Sequence, residues 1–201
     1  MTDPRNFISN VSDFNNPVLI DHHLLIIGGS GRNVGKTTLA LEIIRKYAKT
    51  VNLTGLKISS HNNQDKAFHG SHHPMDVHNF SIWVETCLND NKDTARMIFA
   101  GAKQSFYIES PDTLIYESYM KFNELYKPVG PIICESKSLR KFVKPGLFIF
   151  LVDPLKGKDH THEYEAVADY VHYFNPIIPS FNDLVDQIEY INTGWKLKHS
   201  P

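Results

Sequence analysis

The chain has little cysteine, no long apolar run and no excess of either charge, and each shortage excludes a class of protein. Its two cysteines, Cys87 and Cys134, stand far apart and form no Cys-x-x-Cys pair, which excludes a zinc ribbon and a disulfide-stapled scaffold. The longest apolar runs are about seven residues, well short of the roughly 20 that a membrane-spanning helix needs, so no membrane partner is expected. Lys and Arg number 21 against 22 Asp and Glu, a net charge of −1. Affinity built on neutralising phosphates needs a basic excess, so no nucleic-acid partner is expected either. The opening MTDPRNFISNVSDF carries acids and asparagines where a signal peptide has an apolar core, and the expected setting is the reducing cytoplasm. With 41% hydrophobic and 21% charged residues, the chain has the apolar content to build its own core.

Histidine is the residue in excess: there are eleven, five of them between positions 61 and 78. Residues 1–22 read as a polar N-terminal extension with one short helical or strand-like piece. Residues 23–201 read as a single domain with a His-rich loop at 59–79. Strand and helix signals alternate from His23 onward. LLIIG (24–28), VNLTGLKI (51–58), FSIWVETC (80–87), QSFYIES (104–110), PIICE (131–135) and LFIFLVD (147–153) have strand character. Helical spacing runs through 37–49, 89–102, 110–126, 162–174 and 181–191. Ser110-Pro111-Asp112 and Ser180 with Asp183 supply start signals for two of these helices. Nearly all-apolar strands alternating with helices predict an α/β fold, a three-layer doubly wound, mostly parallel sheet. Ligands of such sheets sit at the carboxyl ends of the strands.

The most specific signal is IIGGSGRNVGKTT (26–38), a buried strand, a glycine-rich turn and a helix start. This is the context a Walker A phosphate loop requires, and it predicts a P-loop NTPase fold. Backbone N–H groups of such a loop converge on one concavity, and the helix N-terminus adds its positive end. Gly29, Ser30, Gly31, Arg32, Asn33, Val34, Gly35, Lys36, Thr37 and Thr38 are the expected nucleotide contacts. Lys36 would meet the β- and γ-phosphates, and the Thr37 hydroxyl would complete the shell of a Mg²⁺ ion. Ser30 stands where the common pattern has its first glycine, with Gly29 and Gly31 on either side. The shift resembles cofactor-biosynthesis P-loop proteins such as dethiobiotin synthetases and cobyrinate amidases.

Further pieces fall in order after the loop: Lys57 and His61 at the end of the second strand, Lys92-Asp93-Thr94 with Ala100-Gly101-Ala102 around a helix, and Glu135 with Lys137 after a buried strand. This order resembles the molybdopterin-guanine dinucleotide biosynthesis adaptor (MobB) family over about 25–150. The family's Glu-Gly-Phe-Lys is here Glu135-Ser136-Lys137-Ser138. The resemblance implies GTP binding, slow hydrolysis, a homodimer and a place beside molybdenum cofactor enzymes.

A P-loop site needs an acid at a strand end to hold Mg²⁺ or orient water. Glu135 fills that position by the resemblance. Asp153 is the second candidate, because an apolar run leads into it. Beyond it, Asp159 is the carboxylate that can read guanine N1–H and N2–H₂. His69, His72, His73 and His78, with Asp76, form a candidate transition-metal cluster, against the plainer reading of a solvated loop. Lys137, Arg140, Lys141 and Lys144 give segment 135–160 a positive balance, suited to a second anionic ligand or a partner's acidic face, or simply to solvent. Trp83 and Trp195 read as packing residues, and Cys134 as an inert buried thiol.

Three functions follow. The first is a GTP-favouring, slow Mg²⁺-dependent NTPase serving as an accessory factor in molybdenum cofactor assembly. The second is a P-loop small-molecule kinase or ATP-dependent ligase, which the chain's few arginines (Arg5, Arg32, Arg45, Arg96 and Arg140) make less favoured. The third is an NTP-dependent metallochaperone using the His-rich loop.

Overall fold

The computed structural model describes residues 14, 17–61, 75–77, 79–86, 91–155, 161–175 and 180–198. The chain is α/β, with a mostly parallel sheet flanked by helices. In chain order the elements are β1 (Leu19–Gly29), α1 (Lys36–Tyr47), β2 (Thr54–His61), β3 (Met75–Val77), β4 (Phe80–Val84), α2 (Asp93–Phe99) and β5 (Gln104–Pro111). A 3-10 turn at Asp112–Leu114 leads into α3 (Ile115–Tyr126), followed by β6 (Ile132–Glu135), a second 3-10 turn (Ser138–Lys141) and β7 (Val143–Val152). Then come α4 (His162–Ala166), β8 (Tyr170–Tyr173), α5 (Asn182–Gln187), β9 (Ile188–Ile191) and β10 (Gly194–Leu197).

The main sheet has the order β3-β4-β5-β2-β6-β1-β7-β8. Strands β5 to β8 of that order are parallel, while β4 runs antiparallel to β5 and β3 antiparallel to β4. The strand pleat sorts the apolar residues onto two faces. Leu25, Ile27, Ile133, Leu147, Ile149 and Leu151 face α1, α5 and the β9–β10 hairpin. Leu24, Ile26, Leu56, Ile58, Phe106, Ile108, Cys134, Phe148 and Phe150 face α3 and α4. Both faces of the central strands are dry, which is why those strands read as continuous apolar runs. Cys134 is fully buried, and burial holds its thiol well above the ordinary range, in keeping with an inert packing role.

Several elements depart from expectation. β1 begins at Leu19, inside the stretch read as an extension, because Leu19–Asp21 pairs with Val143–Pro145 before a bulge. β2 runs on through His61, and Met75–Val77 forms a strand, so the loop expected over 59–79 is shorter at both ends. The helix expected over 162–174 ends at Ala166. Tyr170–Tyr173 instead lies along the outer edge of β7. There the Asp169 carboxylate accepts the Phe148 N–H at 2.7 Å, and the Phe174 N–H reaches the Val152 carbonyl at 2.7 Å. An unpaired edge strand and a Tyr-Val-His-Tyr segment of high β-propensity together outweigh the helical spacing. The helix expected over 181–191 stops at Gln187. Lys46 Nζ binds the Val185 carbonyl at 2.5 Å and the Ile188 carbonyl at 3.0 Å, and Tyr47 donates its hydroxyl to the latter at 2.7 Å. These donors take the helix's last carbonyls, and the chain turns into the β9–β10 hairpin. Of the two predicted serine caps, Ser110 lies within β5 and caps no helix, while the Ser180 hydroxyl accepts the N–H of Asn182, the first residue of α5, at 3.4 Å.

Trp195 anchors the hairpin. It is 2% exposed, and its indole N–H donates to the His23 carbonyl at 3.0 Å. The packing role expected for it is what the structure shows. Among the described residues, no helix is long and apolar enough to cross a membrane.

Candidate functional site

One lateral row of residues organises the site. Strand register aligns Tyr170, Ile149, Ile27, Glu135, Lys57, Tyr107 and Trp83 across β8, β7, β1, β6, β2, β5 and β4. Residues in register share a face. Up to Ile27 this row lies under α1 and α5, as part of the apolar core. From Glu135 outward it turns polar, and it floors a cleft of about 930 Å³ at the carboxyl end of the parallel strands.

The glycine-rich turn forms one end of that cleft. Ser30 closes the turn onto β7: its N–H donates to the Leu151 carbonyl, and its hydroxyl accepts the Asp153 N–H, both at 2.9 Å. Asn33 and Gly35 take positive φ, 61° and 90°. A Cβ on Gly35 would lie 2.6 Å from Phe181 Cζ, so the position needs glycine for both conformation and space. Val34 is fully buried in the core beneath α1 and can offer a ligand only its backbone. α1 opens directly on Lys36, so its first N–H groups lack partners within the helix and its positive end faces the cleft.

Lys36 folds back and donates from Nζ to the Gly31 carbonyl at 2.5 Å. Burial lowers its pKa, Lys57 and Lys137 push the same way, and Glu135 and Asp93 oppose them. Thr37 donates its hydroxyl to Glu135 Oε2 at 2.8 Å. Lys57 stands 4.0 Å from Glu135 Oε1 and also pairs with Asp93, which in turn meets Arg96 Nη1 at 3.4 Å. Burial alone would lower Lys57, but Glu135 and Asp93 together raise it. The result is a chain of contacts from α1 to α2: the neutral Thr37 hydroxyl, then Glu135, Lys57, Asp93 and Arg96 in alternating charge. Two oxygen donors, the Thr37 hydroxyl and the Glu135 carboxylate, converge at one point of it, a donor set that suits a hard divalent cation such as Mg²⁺.

Arg32, Asn33, Gly35, Lys36, Thr37, Thr38, Glu135 and Lys137 all line the cleft. Asp153 does not. It stands beyond Ser30, with its carboxylate accepting the Leu155 N–H at 3.0 Å, a turn-closing role. Asp159 and the four histidines His69, His72, His73 and His78 lie outside the described residues. Among the described residues, no group of three His, Cys, Asp or Glu is placed to hold a metal ion.

The basic cluster after Glu135 is dispersed by the fold. Only Lys137 reaches the cleft. Arg140 is 5% exposed, packed against Phe14 and Phe148, because a long side chain on a 3-10 turn under β7 points inward. Lys144 lies near the start of β7, the opposite end of the sheet.

Trp83 and Tyr107 are the residues that sequence reasoning missed. Trp83 is not a core residue. It lines the cleft, its ring stacked on Tyr107 at 5.2 Å and 27°. The signal was present in β4: Phe80 and Ile82 are buried on the α3 face, so alternation sends Trp83 to the other. Comparison with family models, curated proteins and solved structures finds no match to this chain.

Proposed function

We propose that this chain is a P-loop nucleotide-binding protein that takes a nucleoside triphosphate, GTP in preference to ATP, with Mg²⁺, and hydrolyses it slowly. The observation that carries the reading is the junction of loop and helix. Lys36 and Thr37 open α1 directly after a glycine-rich turn, and Thr37 meets the carboxylate of Glu135, which ends the neighbouring parallel strand. A triphosphate laid along the loop would receive the helix's unpartnered N–H groups and the Lys36 ammonium, which would exchange the Gly31 carbonyl for phosphate oxygens. The bound cation would neutralise charge on the β- and γ-phosphates. Thr37 and Glu135 are the residues that would hold it, the carboxylate directly or through water. Glu135, with Lys57 Nζ 4.0 Å from its Oε1, is the carboxylate that would align a water with the terminal phosphate. The preference for GTP and the accessory role in molybdenum cofactor assembly rest on the order of motifs that resembles the adaptor family.

A second reading, a P-loop small-molecule kinase, draws support from one observation: the cleft continues past Glu135 and is lined by Lys57 and Arg96 as well as Arg32. The shortage of arginines counted in sequence thus loses weight, since two of the five stand at the cleft. Calorimetric titration of the metal-free protein with GTP and with ATP, each with and without Mg²⁺, tests the first reading. Micromolar, Mg²⁺-dependent binding of one of them is expected. Absence of saturable binding of either would remove it.

A further inference from the structure

The cleft is longer than a phosphate site requires. Trp83 stands three strands beyond Glu135 in the same row, roughly 14 Å away at about 4.8 Å per strand. That length of floor is neither apolar core nor plain surface. On the same strands, the opposite face carries Phe80, Ile82, Phe106 and Ile108, all buried under α3. The cleft face instead carries Lys57, Tyr107 and Trp83, all half-buried. Tyr107 and Trp83 stack on each other, Lys57 lies next to Tyr107 in register, and Arg96 lines the same cleft. The covered face is apolar throughout, whereas this one sets two stacked aromatic rings beside a lysine and leaves all three half-open. Half-open aromatic rings with a few convergent cations in a concave wall are the makings of a small-molecule subsite.

We propose that this far arm binds a second small molecule: a planar heteroaromatic ring bearing a phosphate or carboxylate. Its ring lies on the Trp83–Tyr107 pair, and its anionic group turns toward Lys57 and Arg96, the two cations that Asp93 also meets. The proposal rests on the nucleotide reading of the loop in one respect: with a triphosphate bound, the far ligand's inner end would lie beside the terminal phosphate.

The test is calorimetry on full-length protein saturated with Mg²⁺ and guanylyl imidodiphosphate, titrated with AMP, GMP or flavin mononucleotide, with ribose 5-phosphate as the ring-free control. At least one planar compound is expected to bind one further equivalent, and ribose 5-phosphate about tenfold or more weaker. Trp83→Ala should weaken that second binding about tenfold, while Trp83→Phe retains most of it, and neither should change affinity for the triphosphate analogue. Lys36→Ala should lose the triphosphate analogue and keep the planar ligand. If Lys36→Ala keeps both, the loop reading fails while the far arm stands. If no planar compound saturates the wild type at millimolar concentration, if ribose 5-phosphate binds equally well, or if Trp83→Ala binds as the wild type does, the far arm is not a ring subsite.

Discussion

The Thr37 hydroxyl donates to the Glu135 carboxylate at 2.8 Å across 98 positions of sequence. Two parallel strands make that contact. Ile27 and Glu135 are in register between β1 and β6, so the last residue of β6 lies beside the point where β1 gives way to the glycine-rich turn, and α1 returns above them both. Under the proposed function, this hydroxyl and this carboxylate are the two oxygen donors that a divalent cation would take.

Lys36→Ala is expected to weaken triphosphate binding by about tenfold or more, since a charge-assisted hydrogen bond contributes about 1.5–3 kcal/mol. The melting temperature should not fall, because among the described residues Lys36 donates to a single loop carbonyl and burial disfavours its charge. Paired thermal melts and titrations check both halves. A variant that binds as tightly as wild type would falsify the phosphate-loop reading.

Thr37→Ala should abolish the gain in affinity that Mg²⁺ confers while leaving the weaker Mg²⁺-free binding in place. Glu135→Gln should lower turnover at saturating nucleotide by about 100-fold, the lower range for loss of an acid–base or water-orienting group. Asp153→Asn should have little effect, because Asp153 closes a turn outside the cleft and its carboxylate accepts a backbone N–H. A larger loss from Asp153→Asn reverses the assignment of the two acids.

The α/β architecture was legible because the buried strands are continuous apolar runs, and the strand–turn–helix passage from β1 to α1 because its glycines, lysine and threonines are adjacent in sequence. Register was not legible. Alternation gives the faces of Lys57 and Trp83, since Leu56 with Ile58 and Phe80 with Ile82 are buried on the opposite one, but which residues of neighbouring strands lie beside them, Glu135 beside Lys57 and Tyr107 beside Trp83, is set by strand pairing that no local pattern encodes. Arg140 was misread because net charge in a segment says nothing of which side chains the fold turns inward. The helices expected over 162–174 and 181–191 failed through tertiary demands, an open edge of β7 in one case and the donors Lys46 and Tyr47 in the other.

Gly35→Ala should destabilise the protein by about 1–2 kcal/mol from left-handed backbone strain alone, and by more from the approach to Phe181. Gly35→Ala combined with Phe181→Leu should recover the part caused by crowding and leave the backbone part. Denaturant midpoints of the two variants separate the contributions. Equal stability of Gly35→Ala and wild type would show that the turn relaxes into another conformation.

The lowered pKa of Lys36 has two consequences of opposite sign. Burial is its main cause, and the ordinary lysine value is 10.5. In the free protein, a group whose folded pKa lies below its unfolded one opposes folding while charged. The penalty is full below the folded pKa and fades as pH rises from there toward 10.5. Lys36→Met, which keeps the chain and removes the charge, should therefore be more stable than wild type at neutral pH, with the difference shrinking as the solution becomes alkaline. A bound triphosphate favours the charged form and raises the pKa again. Affinity should accordingly be constant below the lowered value and fall as pH rises through it, by at most about tenfold per pH unit for one coupled proton. Lys36→Arg remains charged throughout this range, so its affinity should not share the decline. Titrations and melts at several alkaline pH values read both effects on the same samples. A parallel decline in Lys36→Arg would assign the titration to another group, and a wild type that loses stability relative to Lys36→Met as pH rises would show that Lys36 is not buried in the free protein.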